Sequence, residues 1–260
     1  MGEYAYIDGA YLRERVKEFS KRFFAEGVLA EINYERLFSR FEKKFYYDCL
    51  PARKKNEEEG EYKQRVDPVQ QFFNKLEEVP RFHVYLGHVT SEGDKARQKG
   101  VDIQLAVHML SYSYRRITQQ MTLVAGDADF QPLVDAVGEE GTYVRLWSKR
   151  RSTAPKIRAA DIHEELSSKW FLDCLTDEFK LAHSTPRISG EFNKLIGGFQ
   201  LVKQGVWGKE RRLAELYQGN NETLLIYQTE THYFHVTGAN EQCVLNYAGD
   251  LYDIKVTWNA

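Results

Sequence analysis

The sequence predicts an α/β fold: a parallel sheet of about five strands flanked by helices, followed by a small antiparallel β domain. Three observations carry this. Over residues 1–175, short apolar runs alternate with stretches of helical period. Between 176 and 189 the chain turns polar and holds Pro186, which reads as a linker. From 190 to 260 the apolar period changes to two, the signature of half-buried strands.

The first strand is "EYAYID", ending at Asp8, where Gly9 permits a tight turn into the helix "AYLRERVKEFSKRFF". "INYERLFSRFEK" reads as a second helical stretch. "KFYYDCL", 44–50, is rich in strand formers. The charged run "RKKNEEEGEYKQR", 53–65, reads as a solvated loop or helix end. "PVQQFFNKLEEV" then forms a helix with Val69, Phe72, Phe73 and Leu76 on its apolar side. "RFHVYLGHV" is the third strand, and a helix follows Gly100 in "KGVDIQLAVHMLSYSY".

"MTLVAG" is apolar throughout, as in a strand buried on both faces. "FQPLVDAVGEE" is a helix with Gly141 as its C-terminal stop, and "TYVRLW" is the fifth strand. "AADIHEELSSKWFLDCL" reads as a closing helix, with Ile162, Leu166, Trp170 and Leu172 as core contacts. In the C-terminal part, "TLLIYQTETHYFHVTG" predicts a hairpin turning near Glu230 and Thr231. In "LYDIKVTW", Tyr252, Ile254, Val256 and Trp258 share a face. "HYFH" is not a metal pair, because strand residues three apart face opposite sides.

Composition narrows the function. With 42% hydrophobic and 28% charged residues, the 260-residue chain has the balance of a soluble globular protein. It holds no run of about 18 apolar residues, so no membrane span is expected. The N-terminus lacks the basic and apolar regions of a signal peptide. Cys49, Cys174 and Cys243 are scattered, which fits a reducing cytoplasm and neither a disulfide framework nor a cysteine zinc site. A net charge of −2 gives no global attraction for polyanions, so an anionic partner needs a local basic patch or a metal.

The chemistry concentrates in acids at strand ends. Asp8 ends strand one, and Asp127 and Asp129 follow strand four in "LVAGDADFQPLV". Asp102 opens the preceding helix. In open α/β sheets, ligands sit at the carboxyl ends of strands. Converging carboxylates there form a site for a hard divalent cation, Mg²⁺ above all, which can clamp a phosphodiester and activate water. Each acid also has a plainer reading: Asp129 caps the next helix, Asp102 complements a helix start, and Asp8 sits in a turn. The basic run "SKRRSTAPKIR" follows strand five, so Lys149, Arg150 and Arg151 could hold phosphates, as could Lys99 near Asp102.

"YIDGAYL", "KGVDIQLAVHML" and "LVAGDADFQPLVDAVGEEGTYVRLW", in this order and spacing, resemble a LabA-like NYN domain of the PIN-like ribonuclease superfamily. The resemblance covers about 1–175. It implies a Rossmann-like, PIN-type sheet and Mg²⁺- or Mn²⁺-dependent cleavage of RNA. The matching acids are Asp8, Asp102, Asp127 and Asp129, as catalytic and metal-holding residues. Tyr11 stands where the family commonly has Asn, and His108 where it commonly has Asp. His108 is either a metal ligand or base, or a packed histidine of an amphipathic helix. Two function classes follow: an RNA endonuclease, or a PIN-like RNA-binding or interaction protein that has lost cleavage. A phosphatase of the haloacid dehalogenase kind needs D-x-D after strand one, where Asp8-Gly9-Ala10 stands. The β-rich unit 190–260 reads as a module for substrate, partner or self-association, and a homo-oligomer stays open.

Overall fold

A computed structural model describes residues 2–90, 97–149 and 159–259. The chain forms two compact units. One holds the N-terminal segment through Glu14 together with Tyr34–Leu166; the other holds Arg15–Asn33 and the chain from Ser167 onward.

In the first unit, β1 (Tyr4–Asp8), β2 (Lys43–Cys49), β3 (Phe82–Thr90), β4 (Arg97–Lys99), β5 (Gln120–Val124), β6 (Tyr143–Ser148) and β7 (Ile162–Glu165) form one sheet. Its order is β4-β3-β2-β1-β5-β6-β7. Six strands run parallel, and β4 alone is antiparallel, on the β3 edge. Central β1 and β5 are buried on both faces, which is why their sequences read as unbroken apolar runs.

On one face, Tyr6, Phe45 and Leu123 pack with Leu105 and Met109 of α4 (Val101–Tyr114) and Val134 of α5 (Gln131–Glu139). Next to them in sequence, Tyr46 packs on Phe72 and Phe73 of α3 (Glu59–Glu78), as strand alternation requires. Helix α1 (Gly9–Phe23) follows β1 directly, and α2 is a single turn, Tyr34–Leu37, where the sequence suggested a longer helix. Helix α3 starts nine residues before Pro68, inside the charged run read as a solvated loop or helix end.

The segment 159–175 departs most from its predicted helix. It opens as β7, paired with β6 from Arg145↔Ile162 to Ser148↔Glu165. Glu164 takes Trp147 Nε1 at 2.8 Å, Arg40 at 3.1 Å and Arg145. These distant partners override the local helical pattern. Ile162 is accordingly exposed, whereas Leu166 is buried. Only Ser168–Asp173 is helical there (α6).

In the second unit, six strands pair antiparallel in the order β13-β9-β10-β11-β12-β8. They are β8 (Arg187–Glu191), β9 (Gln200–Trp207), β10 (Arg212–Gln218), β11 (Thr223–Gln228), β12 (Tyr233–Gly238) and β13 (Val256–Trp258). The expected hairpin is β11–β12, closed by Thr229 N donating to His232 O. Helix α8 (Glu241–Tyr252) is capped by Asn240, whose side chain accepts from Cys243 N.

The span 176–189, read as a linker, is structured. Thr176 caps α7 (Asp177–Ala182), and β8 pairs with β12. The boundary falls at Leu166/Ser167 rather than at 175, because Phe19 and Phe24 pack on Phe171 and Phe179. All three cysteines are free and buried. Among the described residues, no helix is long and apolar enough to cross a membrane.

Candidate active site

The strand order reverses direction at β1, which lies between β2 and β5. Such a switch point opens a crevice at the carboxyl ends of the strands. Asp8 closes β1 there, and its Oδ1 accepts the Tyr11 backbone N–H at 3.0 Å as α1 begins. Burial pushes the Asp8 carboxyl up to about 6; repulsion from Asp102 and Asp48 adds to this, against the amides of Tyr11 and Ala10.

Asp102 sits in the first turn of α4, entered through Gly100 at φ +92°. That left-handed conformation suits glycine. Desolvation raises the Asp102 carboxyl, and Asp127 and Asp129 raise it further. Past the end of β5, Asp127 is extended, and its Oδ1 accepts the Asp129 N–H at 3.0 Å, capping the 3₁₀ turn Ala128–Phe130. The capping role expected of Asp129 therefore falls to Asp127. Asp102, Asp127 and Asp129 together line the mouth of a groove of about 360 Å³, with Ile103 and Leu110 of α4 and Leu133 of α5 along it.

Electrostatically, the four acids thus form one chain of mutual repulsion, from Asp8 to Asp102 to the Asp127–Asp129 pair. Among the described residues, no three His, Cys, Asp or Glu side chains are grouped closely enough to hold an ion as they stand. The donor set is nonetheless all carboxylate oxygen, the set a hard cation takes.

Asp48 adds an acid that the sequence reading left without a role. Fully buried at the end of β2, it takes Arg13 Nη2 at 2.9 Å, its neighbour's amide, Cys49 N, at 2.7 Å, and the Tyr46 hydroxyl at 3.2 Å. Burial raises its carboxyl despite Arg13. The available signal was positional: Asp48 lies at the carboxyl end of β2, one residue before its last, beside the Asp8 end of β1. Gly9 serves this cluster rather than a tight turn. It is the first residue of α1, and a β-carbon on it would stand 2.5 Å from Asp48 Oδ2 and from the Tyr46 ring.

The two departures from the family pattern are built into the fold. The Tyr11 hydroxyl accepts the Lys149 N–H at 2.9 Å. His108 Nδ1 shares a 2.9 Å hydrogen bond with the Tyr47 hydroxyl, its ring set edge-on to Tyr85, and burial lowers its pKa. This is the packed-histidine reading.

Of the basic candidates, Lys149 is exposed just after β6, and Lys99 ends β4 opposite His88 in the pairing. The side chain of Lys99 lies outside the description, and Arg150 and Arg151 lie outside the described residues.

Compared with known proteins, residues 5–166 match the model of the NYN domain family. No curated protein matches the chain. Among solved structures, a protein of unknown function from Vibrio parahaemolyticus is similar, at 16% identity and a TM-score of 0.48, covering 67% of this chain and 96% of that one.

Proposed function

The chain belongs to the NYN domain family, a PIN-like nuclease family, and from that premise we propose that it is a cytoplasmic, metal-dependent endoribonuclease of the LabA-like kind. The observation that carries this reading is the set of carboxylates at the switch point, Asp8, Asp102, Asp127 and Asp129: burial raises Asp8 and Asp102, and repulsion from neighbouring acids adds to it. A cation among them reverses that repulsion, and their all-oxygen chemistry selects Mg²⁺ or Mn²⁺.

When bound, such an ion supplies Lewis acidity at the scissile phosphate and lowers the pKa of the attacking water. Asp8, Asp102, Asp127 and Asp129 would hold it, drawn closer together than they stand without it, and would orient that water. No side chain acts as a nucleophile. Lys99, Lys149, Arg150 and Arg151 carry the RNA phosphates past the acids.

Asp127→Asn tests the reading. Asn caps a helix start about as well as Asp, so the fold is preserved while one ligand charge is lost. Mg²⁺ should raise the thermal midpoint of the wild type and not that of the variant, and RNA cleavage should disappear in the variant. Equal response to Mg²⁺ against chelator, together with retained cleavage, overturns it.

A second reading, an RNA-binding protein without cleavage, is favoured by the structural duties of Tyr11 and His108. Binding of RNA with no cutting in either Mg²⁺ or Mn²⁺ selects it.

A further inference from the structure

Asp48 is a buried charge that the metal-holding set does not use. Its side chain is fully buried, and burial raises its carboxyl although Arg13 stands beside it. Taking a charge out of water is expensive, and a buried ion pair is weak grounds for stability. The chain nonetheless keeps room for it. Gly9 and Arg13 lie one turn apart on the same face of α1, and both meet Asp48. The glycine does so by lacking the β-carbon that would strike Oδ2, the arginine by donating from Nη2 at 2.9 Å.

A guanidinium carries five N–H donors in a planar fork. Among the described residues, Arg13 gives one of them, to Asp48 Oδ1. That oxygen also takes Cys49 N, and Oδ2 takes the Tyr46 hydroxyl, so the carboxylate is held at both oxygens. The Arg13 side chain is 30% exposed, so part of the fork meets water. It stands at the carboxyl edge of the sheet, where Cys49 feels both this guanidinium and the Asp102 carboxylate. The strand order β2-β1-β5-β6 sets Arg13 on the β2 side of the acids and Lys149 on the β6 side. Three strand spacings of about 4.8 Å separate those two strands. Asp8 and the Asp127–Asp129 pair lie at the ends of the two strands between them.

We propose that Arg13 binds a phosphate of the RNA strand, with Asp48 as the positioning residue that sets its guanidinium. One part of the fork rests on Asp48 and the rest takes the phosphate, a contact that suits arginine better than lysine. With Lys149 beyond β6, the phosphates then cross the ends of β6, β5, β1 and β2, and the acids lie under the middle of the track. The proposal rests on RNA as the substrate of this site and not on its cleavage.

The experiment is binding of a short single-stranded oligouridylate to the full chain in chelator, followed as salt is raised. Arg13→Ala combined with Asp48→Asn leaves no buried charge unpaired, so this variant should fold. It should bind roughly tenfold more weakly, and its log–log salt slope should fall by roughly 0.7, the share of one phosphate on a single strand. Asp48→Asn alone keeps the guanidinium and an acceptor for it, so its slope should match the wild type's. Asp48→Leu frees the guanidinium and should keep the slope but lose affinity by roughly threefold, the cost of ordering the side chain anew. Arg13→Lys serves if the double variant does not fold: its slope should hold while affinity drops roughly fivefold, because an ammonium lacks the fork. An unchanged slope in the double variant, a lowered slope in Asp48→Asn, or wild-type affinity in Asp48→Leu or Arg13→Lys overturns the proposal. So does a wild type that binds no RNA. If the wild type cuts RNA and the double variant binds as tightly as it does, the nuclease reading stands without this contact. If the wild type binds through Arg13 and never cuts in Mg²⁺ or Mn²⁺, the contact stands and the nuclease reading fails.

Discussion

The ring of Tyr11 lies on the α-carbon of Gly126, so close that a β-carbon there would stand 2.3 Å from the ring. The same tyrosine takes the Lys149 N–H, which ties the start of α1 to the end of β6 across the β5 terminus. Gly126→Ala should therefore displace the ring and destabilise the protein by about 1–3 kcal/mol. In a Tyr11→Asn background the same change should cost much less, and a double-mutant cycle of thermal unfolding reads the coupling. Equal cost in both backgrounds would place the strain elsewhere.

Asp8 makes stability depend on pH in the metal-free protein. Its folded pKa, about 6, lies above the ordinary 3.8, so the folded state holds the proton more tightly than the unfolded chain does. Its contribution is then fully present below about 3.8 and is lost as pH rises through about 6. In chelator, the wild type should lose roughly 2–3 kcal/mol across that window relative to Asp8→Asn. Parallel pH profiles for the two proteins would refute this.

Arg13 is the cation beside the buried Asp48. Arg13→Ala leaves a buried carboxylate unpaired and should cost about 3 kcal/mol, the lower end of the usual range because Arg13 is 30% exposed. Adding Asp48→Asn should recover much of the loss. Chemical denaturation of the three variants measures it, and no recovery would mean that Arg13 acts through packing.

The basic run after β6 makes a prediction in salt. Replacing Lys149, Arg150 and Arg151 with Ala should flatten the log–log salt dependence of RNA binding by roughly two to three. An unchanged slope would leave the segment a solvated surface.

The legible parts of the sequence were those whose local pattern matches their surroundings. β1 and β5 are buried on both faces, so their apolar runs announce them. α4 and α5 carry the helical period that packs on the sheet. What escaped was set from afar. β7 is a strand because Glu164 meets Trp147, Arg40 and Arg145, none of which is near in sequence. α7 and β8 occupy a segment whose Pro and polar residues signal a linker, yet β12 supplies a pairing edge. Of the site, the acids were named from position and from the resemblance. Asp48 drew no role from the sequence, which does not reveal its guanidinium partner 35 residues away, and Asp127 took the cap assigned to Asp129.

The strand order also fixes when the acids can meet during synthesis. β1 is made more than a hundred residues before its neighbour β5, which begins only at Gln120. A nascent chain that has reached only residue 100 therefore carries Asp8 at a bare strand edge, with neither Asp102 nor the Asp127–Asp129 pair yet made. Interrupted translation, or a fragment ending before β5, leaves a polypeptide that lacks the Asp127–Asp129 pair and the strand that flanks Asp8.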